Sequence, residues 1–280
     1  MTQAQGKLIV GHDTDIYYFT GTEIRKIDAL GNDTQLYSGI ADGIDKNAFG
    51  ISDDGTTLVL VQDNNISGSN ITTYSTVSNI ITNYSPVDVN SQLITFAGGN
   101  IVFVSNTDFY LAASSNILRR LNITLDSNTN TYSVIAQGNN LGNFTPAGVA
   151  FFNSQYYFMG IQFIPQHTYI FDQNGMQAAL ILAGVNNAPY QDIIFVDLTT
   201  SNGLTGQFFY LLSLNSPIVN RYTTSFVFVD SFTLMGAGSP VKSLSYSITP
   251  PDSFERFYIA GDNLRKLYFT VGGSAVAILT

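Results

Sequence analysis

The sequence predicts an all-β fold, a six-bladed β-propeller of four-stranded antiparallel blades with essentially no helix. Three observations predict it. A short apolar, basic, basic, apolar segment recurs at near-constant spacing, other apolar runs keep phase with it, and no stretch sustains the 3.6-residue period of a helix.

The stretch from Ala48 to Tyr74 shows the unit. Ala48 to Ile51 is a short apolar run, and Ser52-Asp53-Asp54-Gly55 supplies turn chemistry with a glycine free to take positive φ. Thr57 to Val61 returns as a second, β-branched run, so the two read as a hairpin. After the polar break Asp63 to Ser69, a third strand is expected at Asn70 to Tyr74.

Third strands mark the repeat. Ile24-Arg25-Lys26-Ile27, Leu118-Arg119-Arg120-Leu121 and Leu264-Arg265-Lys266-Leu267 are nearly one tetrapeptide, and Val219-Asn220-Arg221-Tyr222 is a weaker copy. With Ile71 to Tyr74 and Thr168 to Phe171 between them, the starts fall 45 to 51 residues apart with a mean of 48, which divides the chain into six. Second strands are expected at Ile16 to Phe19, Leu58 to Val61, Ile101 to Val104, Tyr156 to Met159, Phe208 to Leu212 and Phe257 to Ala260. They are the most apolar runs, as strands covered on both faces should be. First strands precede them at Leu8 to Val10, Phe49 to Ile51, Leu93 to Phe96, Val149 to Phe152, Ile193 to Val196 and Leu244 to Ile248. Fourth strands close on glycines, as in Leu36 to Gly39 and Val134 to Gly138. A single domain over 1–280 is expected, with blades near 6–41, 42–88, 89–141, 142–187, 188–239 and 240–280. Its last outer strand is expected at Ala275 to Leu279, with no strand exchanged between first and last blades; the alternative is that the Leu8 strand pairs elsewhere and completes the last blade.

The hairpin at Ser52-Asp53-Asp54-Gly55 and the strand Ile24-Arg25-Lys26-Ile27-Asp28 followed by Gly31 resemble blades of the NHL-type, lactonase-like and TolB-like propellers. The resemblance covers the whole chain as architecture and carries no activity. Its lactonase-like members imply one alternative, a divalent metal held in the central channel by carboxylate and Asn side chains. Asp13, Asp63, Asp108, Asp172, Asp197 and Asp262 lie near strand ends, but they do not recur at one blade position, so no cofactor is expected.

Composition narrows the partners. Charged residues are only 11%, against about 25% in an ordinary globular chain, so Asn, Ser, Thr, Gln and Gly must cover the surface. A net charge of −9 speaks against nucleic acid, whose phosphates require clustered Lys and Arg. There is no cysteine for a disulfide, thiolate metal site or nucleophile. Neither a signal peptide nor a membrane-spanning apolar run is evident, so a soluble, non-exported chain without membrane insertion is expected.

Catalytic constellations are sparse. Asp53 and Asp54 precede a turn glycine and suit a turn role, and no DxDxDG calcium loop is present. His12 and His167 lack ligand spacing, and no GxSxG elbow marks a nucleophile. The sequons at Asn32, Asn65, Asn70, Asn83, Asn122 and Asn143 are expected by chance in so polar a chain. Arg25, Lys26, Arg119, Arg120, Arg221, Arg265 and Lys266 make up 7 of the 11 basic residues and share third-strand positions. Their long stems suit packing between blades, and a broken ring of positive charge docking an acidic partner is the candidate binding function.

The expectation is therefore a non-enzymatic binding propeller in a virion, such as a tail or capsid-associated component of a virus or bacteriophage with a role in host attachment. Its partners would be other subunits of the assembly, with a cell-surface glycan met through exposed Tyr and Asn as a further candidate. The alternatives are a lactonase-like hydrolase and a cytoplasmic protein-interaction scaffold.

Overall fold

The computed structural model describes residues 8–13, 15–28, 30–40, 47–62, 70–86, 95–96, 99–114, 118–137, 141, 143–182, 189–198, 206–214, 216–233, 243–249, 254–260 and 265–268. For 113–121, 134–137 and 243–268 only the backbone of the described positions is considered. Among the described residues there is strand and turn but no helix.

Strands β1 (Leu8–His12), β2 (Asp15–Phe19), β3 (Glu23–Ile27) and β4 (Asp33–Ser38) form an antiparallel sheet in chain order. A second meander follows with β5 (Asn47–Ile51), β6 (Thr57–Gln62), β7 (Asn70–Ser75) and β8 (Ile81–Pro86). The third region comprises β9 (Thr95–Phe96), β10 (Gly99–Asn100), β11 (Val102–Phe103), β12 (Asp108–Ser114), β13 (Leu118–Asp126) and β14 (Thr131–Gln137). It joins the second through two short parallel pairings, β10 with β5 and β14 with β8, giving one ten-stranded sheet. Four-stranded sheets then form from β15 (Thr145–Phe152), β16 (Gln155–Phe163), β17 (Gln166–Phe171) and β18 (Gln177–Ile181), and from β19 (Tyr190–Leu198), β20 (Gly206–Ser213), β21 (Ile218–Thr223) and β22 (Phe228–Thr233). Three strands close the series: β23 (Ser243–Thr249), β24 (Phe254–Ala260) and β25 (Arg265–Tyr268). The expected final strand at Ala275 to Leu279 lies outside the described residues.

Contacts divide the chain into two compact units, one of Met1–Ala41 with Leu182–Thr280 and one of Asp42–Ile181. In the first unit β23 packs against β1 and β19; in the second, β12 packs against β15.

The apolar second strands are buried on both faces. Leu58, Val59, Leu60 and Val61 of β6 are wholly buried in succession, which only a strand covered by neighbours on both sides allows. Val59 and Val61 meet Phe103, Phe109, Leu111 and Ile123 in one core; Ala112, Val149, Phe158 and Phe171 form the next. At Gly50 the packing leaves no room for a side chain, since a Cβ there would sit 2.9 Å from the Ile101 Cβ and 3.1 Å from the Phe103 ring. The turn after β5 takes the form its residues specify: Gly55, at φ 71°, donates its N–H to the Ser52 carbonyl at 2.8 Å.

One repeat differs in phase from the sequence reading. Ile101 to Val104 is not the second strand of its unit, because β11 ends at Phe103, the chain turns through Ser105 to Thr107 with the Val104 N–H bonded to the Asp108 carbonyl, and Asp108 to Ser114 runs back as the second strand. Both runs are apolar enough for the inner position. The turn between them carries neither Gly nor Pro, which hid it.

Candidate functional site

The strongest concentration of buried polar groups lies at one end of the sheet β19–β22, where β19 begins and β20 ends. Tyr190, Asp192, Ser213 and Asn220 are fully buried there, and Tyr222 is nearly so. Register explains the gathering: Tyr190 opposes Ser213, Asn220 opposes Leu211, and a bulge after Tyr190 shifts the phase before Asp192. The Asn220 amide donates to the Tyr190 hydroxyl at 2.5 Å, which shares a second hydrogen bond with the Tyr222 hydroxyl at 2.7 Å. Burial first, and then the Tyr222 hydrogen bond, push the Tyr190 phenol far above the ordinary tyrosine range, so it stays protonated. One Asp192 oxygen accepts the Ile193 N–H at 2.9 Å, and Ser213 Oγ is buried without a hydrogen-bond partner. Hydrogen bonds in a low-dielectric interior fix geometry, and here those among Tyr190, Asn220 and Tyr222 hold the entry of β19 against β21. The sequence reading missed it, although polar residues within apolar strands, Asn220 in IVNRYT and Asp192 in YQDIIFVDL, were its signal.

Three of the seven basic residues have described side chains, and each has acidic partners within its own sheet. Arg25 contacts Asp33 at 3.1 Å and Glu23 at 2.9 Å, and it also donates to the Tyr18 hydroxyl at 3.0 Å. Lys26, on the opposite face, meets Asp15 at 2.5 Å. Arg221 grips Asp230 with two hydrogen bonds at 2.8 and 2.5 Å and lies 4.8 Å from the centre of the Phe208 ring. Thus a third-strand arginine reaches a fourth-strand aspartate in two different sheets. The side chains of Arg119, Arg120, Arg265 and Lys266 lie outside the described residues.

The carboxylates considered as metal ligands have local tasks. Asp108 accepts from Ser105 and Thr124, Asp172 accepts the Asn174 and Met176 N–H groups, and Asp197 accepts from Gln207. Asp13 is exposed in a turn beside His12, and Asp63 and Asp262 lie outside the described residues. Among the described residues no three His, Cys, Asp or Glu side chains come together as a metal site, so the metal implied by lactonase-like propellers finds no fitting ligand set in them. His12 pairs with Asp13 at 3.4 Å in one unit, and His167 lies 6.4 Å from the Tyr169 ring in the other.

No protein-family model matches the sequence, and no curated protein matches it. Solved structures do. A gluconolactonase from Xanthomonas campestris is similar with a TM-score of 0.61 at 10% identity, covering 94% of this chain and 86% of its own. A catalytically inactive virginiamycin B lyase from Staphylococcus aureus, solved with quinupristin, gives 0.57 at 13% identity over 94% and 95%. A chain of the mitotic checkpoint complex gives 0.57 at 11% over 98% and 76%, so propellers of this similarity also occur within protein assemblies.

These likenesses correct the expectation of a non-enzymatic virion component. Structures sharing the fold along nearly the whole chain include a gluconolactonase and a lyase. Reading the lack of a catalytic motif as lack of an activity was the error, because a propeller assembles sites from loops of separate blades, which leave no contiguous motif. What the likeness establishes is the fold: the chain is an all-β propeller of four-stranded antiparallel sheets.

Proposed function

We propose that the chain is a ring-opening enzyme, a hydrolase or lyase acting on a cyclic ester. One observation carries the reading: the full-length likeness to a gluconolactonase at a TM-score of 0.61. The likeness to a virginiamycin B lyase over nearly the whole of both chains supports it. The buried array of Tyr190, Asn220 and Tyr222 has a positional task in this reading, since it fixes a strand end from which loops can present reacting groups. No step is assigned to a metal.

The test is a pH-stat assay with glucono-1,5-lactone, simple γ- and δ-lactones and a cyclic depsipeptide. Acid release above the spontaneous rate for one of them is expected from a hydrolase, and a ring-opened product without added water from a lyase. Neither activity on any member of the panel would overturn the reading.

Protein docking is a second reading, favoured by the likeness to a chain of the mitotic checkpoint complex. Arg25, Lys26 and Arg221 are paired internally, so in this reading they do not supply the docking charge. Charge reversal at Arg119 and Lys266 that left native assembly unchanged would count against it.

A further inference from the structure

We infer that a second copy of this chain docks on the free edge of the sheet β15–β18, with strand β18 pairing antiparallel to its own counterpart across a two-fold axis. The inference does not rest on the ring-opening reading. β18 bonds β17 on one side, and among the described residues no strand pairs with its other side. The backbone N–H and C=O groups on that side are what an added strand would bond.

The described fourth strands differ in how they guard this edge. β4 carries Asp33 and β22 carries Asp230, each held by an arginine of the neighbouring strand. β8 and β14 pair with each other, and β8 ends in Pro86. β18 has neither a charge nor a proline. Its surroundings are equally bare of charge: from Ser127 to Gln191 the only Asp, Glu, Lys or Arg is Asp172. That carboxylate is engaged in the β17–β18 turn, where it accepts the Asn174 and Met176 N–H groups.

Apolar side chains line the same edge. Ile181 turns into the core, while Leu180 beside it is exposed. Met176, just before the strand, is 68% exposed and flanks one end. Ile181 opposes Thr168, so the β16–β17 turn flanks the other end, and there Phe163 is exposed and Ile164 is 89% exposed.

Charge decides which partner fits. A chain of net charge −9 repels its own copies over most of its surface, and this sheet is where that repulsion is least. Across a two-fold axis each side chain lies beside images of its own strand, so any charged residue would meet a like charge. β18 instead sets Leu180 and its two alanines against the same residues. A foreign segment rich in acidic or basic residues would give up the water around its charges and find no counter-charge on this sheet. The edge fits an uncharged, apolar strand edge, and the chain itself supplies one.

The test is sedimentation velocity of the full chain over a concentration series. A reversible monomer–dimer equilibrium is expected. Leu180→Lys sets like charges side by side and should weaken the dimer more than about tenfold. Gln177→Lys, at the other end of the strand, should weaken it too, and both exposed positions should leave the melting curve in dilute solution unchanged. Val227→Lys, at an exposed apolar residue of the β21–β22 turn, should leave the dimer intact. A parent chain that stays monomeric throughout the series, with or without another protein on this edge, would overturn the inference. So would folded Leu180→Lys and Gln177→Lys proteins that dimerise as tightly as the parent.

Discussion

The side-chain amide of Asn100 is hydrogen-bonded to both backbone groups of Val149, donating to its carbonyl at 2.6 Å and accepting its N–H at 3.1 Å. Asn100 thereby stands in for a strand residue. Its own backbone pairs in parallel with β5, so one side chain ties β5 through β10 to β15. Asn100→Ala leaves a carbonyl and an N–H of Val149 without these partners, and Val149 is wholly buried. The expected loss is about 1–3 kcal/mol in urea unfolding. Asn100→Asp should be no better, because a carboxylate supplies no donor for the carbonyl. A variant as stable as the parent would show that the bridge contributes nothing.

Gly50 is constrained by space rather than by φ. Its would-be Cβ meets Ile101 and Phe103, which belong to a buried core with little room to shift. Gly50→Ala should cost about 1–3 kcal/mol, although alanine is otherwise the better strand residue. Equal melting temperatures for the parent and Gly50→Ala would contradict the close approach.

The Asp54 carboxylate accepts from the Ser52 hydroxyl, the Thr56 N–H and hydroxyl, and the Asn106 amide of the next hairpin. Those donors, Ser52 first, hold its pKa well below the ordinary 3.8. The folded state thus stays ionised at a pH where the unfolded chain takes up a proton. The contribution is fully present above the unfolded value and is lost as pH falls through the folded one. Melting temperature should therefore fall more steeply below about pH 4 in the parent than in Asp54→Asn. Parallel curves would mean that the cap does not titrate with folding. Asp28 and Asp126, also lowered by turn hydrogen bonds, set the slope that both proteins share.

Much of the fold was legible because the strands are apolar on both faces and their third members carry a marked tetrapeptide. Ile24 to Ile27, Ile71 to Tyr74, Thr168 to Phe171 and Val219 to Tyr222 all lie in strands at the third position of their meanders. The slip at Ile101 to Val104 came from a turn of Ser, Asn and Thr with no glycine to announce it. The sites were far less legible. Arg25 and Arg221 were visible as a repeated basic position, but their partners Asp33 and Asp230 lie a strand away, and pairing register is not written in either strand alone. Tyr190, Asn220 and Tyr222 come from two strands of one sheet, and only the bulge after Tyr190 aligns them.

Tyr132 gives the alkaline counterpart of the acid test. It is 3% exposed, in the core with Phe109, Leu111 and Tyr84, and burial alone pushes its phenol from 10.0 up to about 12. A raised folded value means that the unfolded chain loses its proton first. The stabilising contribution is complete below pH 10 and disappears as pH rises through about 12. Phenylalanine fills the same space and has no proton to lose, so Tyr132→Phe should match the parent near neutrality to within about 1 kcal/mol. It should then gain on the parent by up to about 2–3 kcal/mol between the two values. Tyr18 and Tyr190, raised by burial and hydrogen bonds, are common to both proteins and cancel in the difference. Urea unfolding across that window, read with tyrosinate absorbance, measures the gap. A gap that stays constant with pH would place the Tyr132 hydroxyl in contact with water in the folded state.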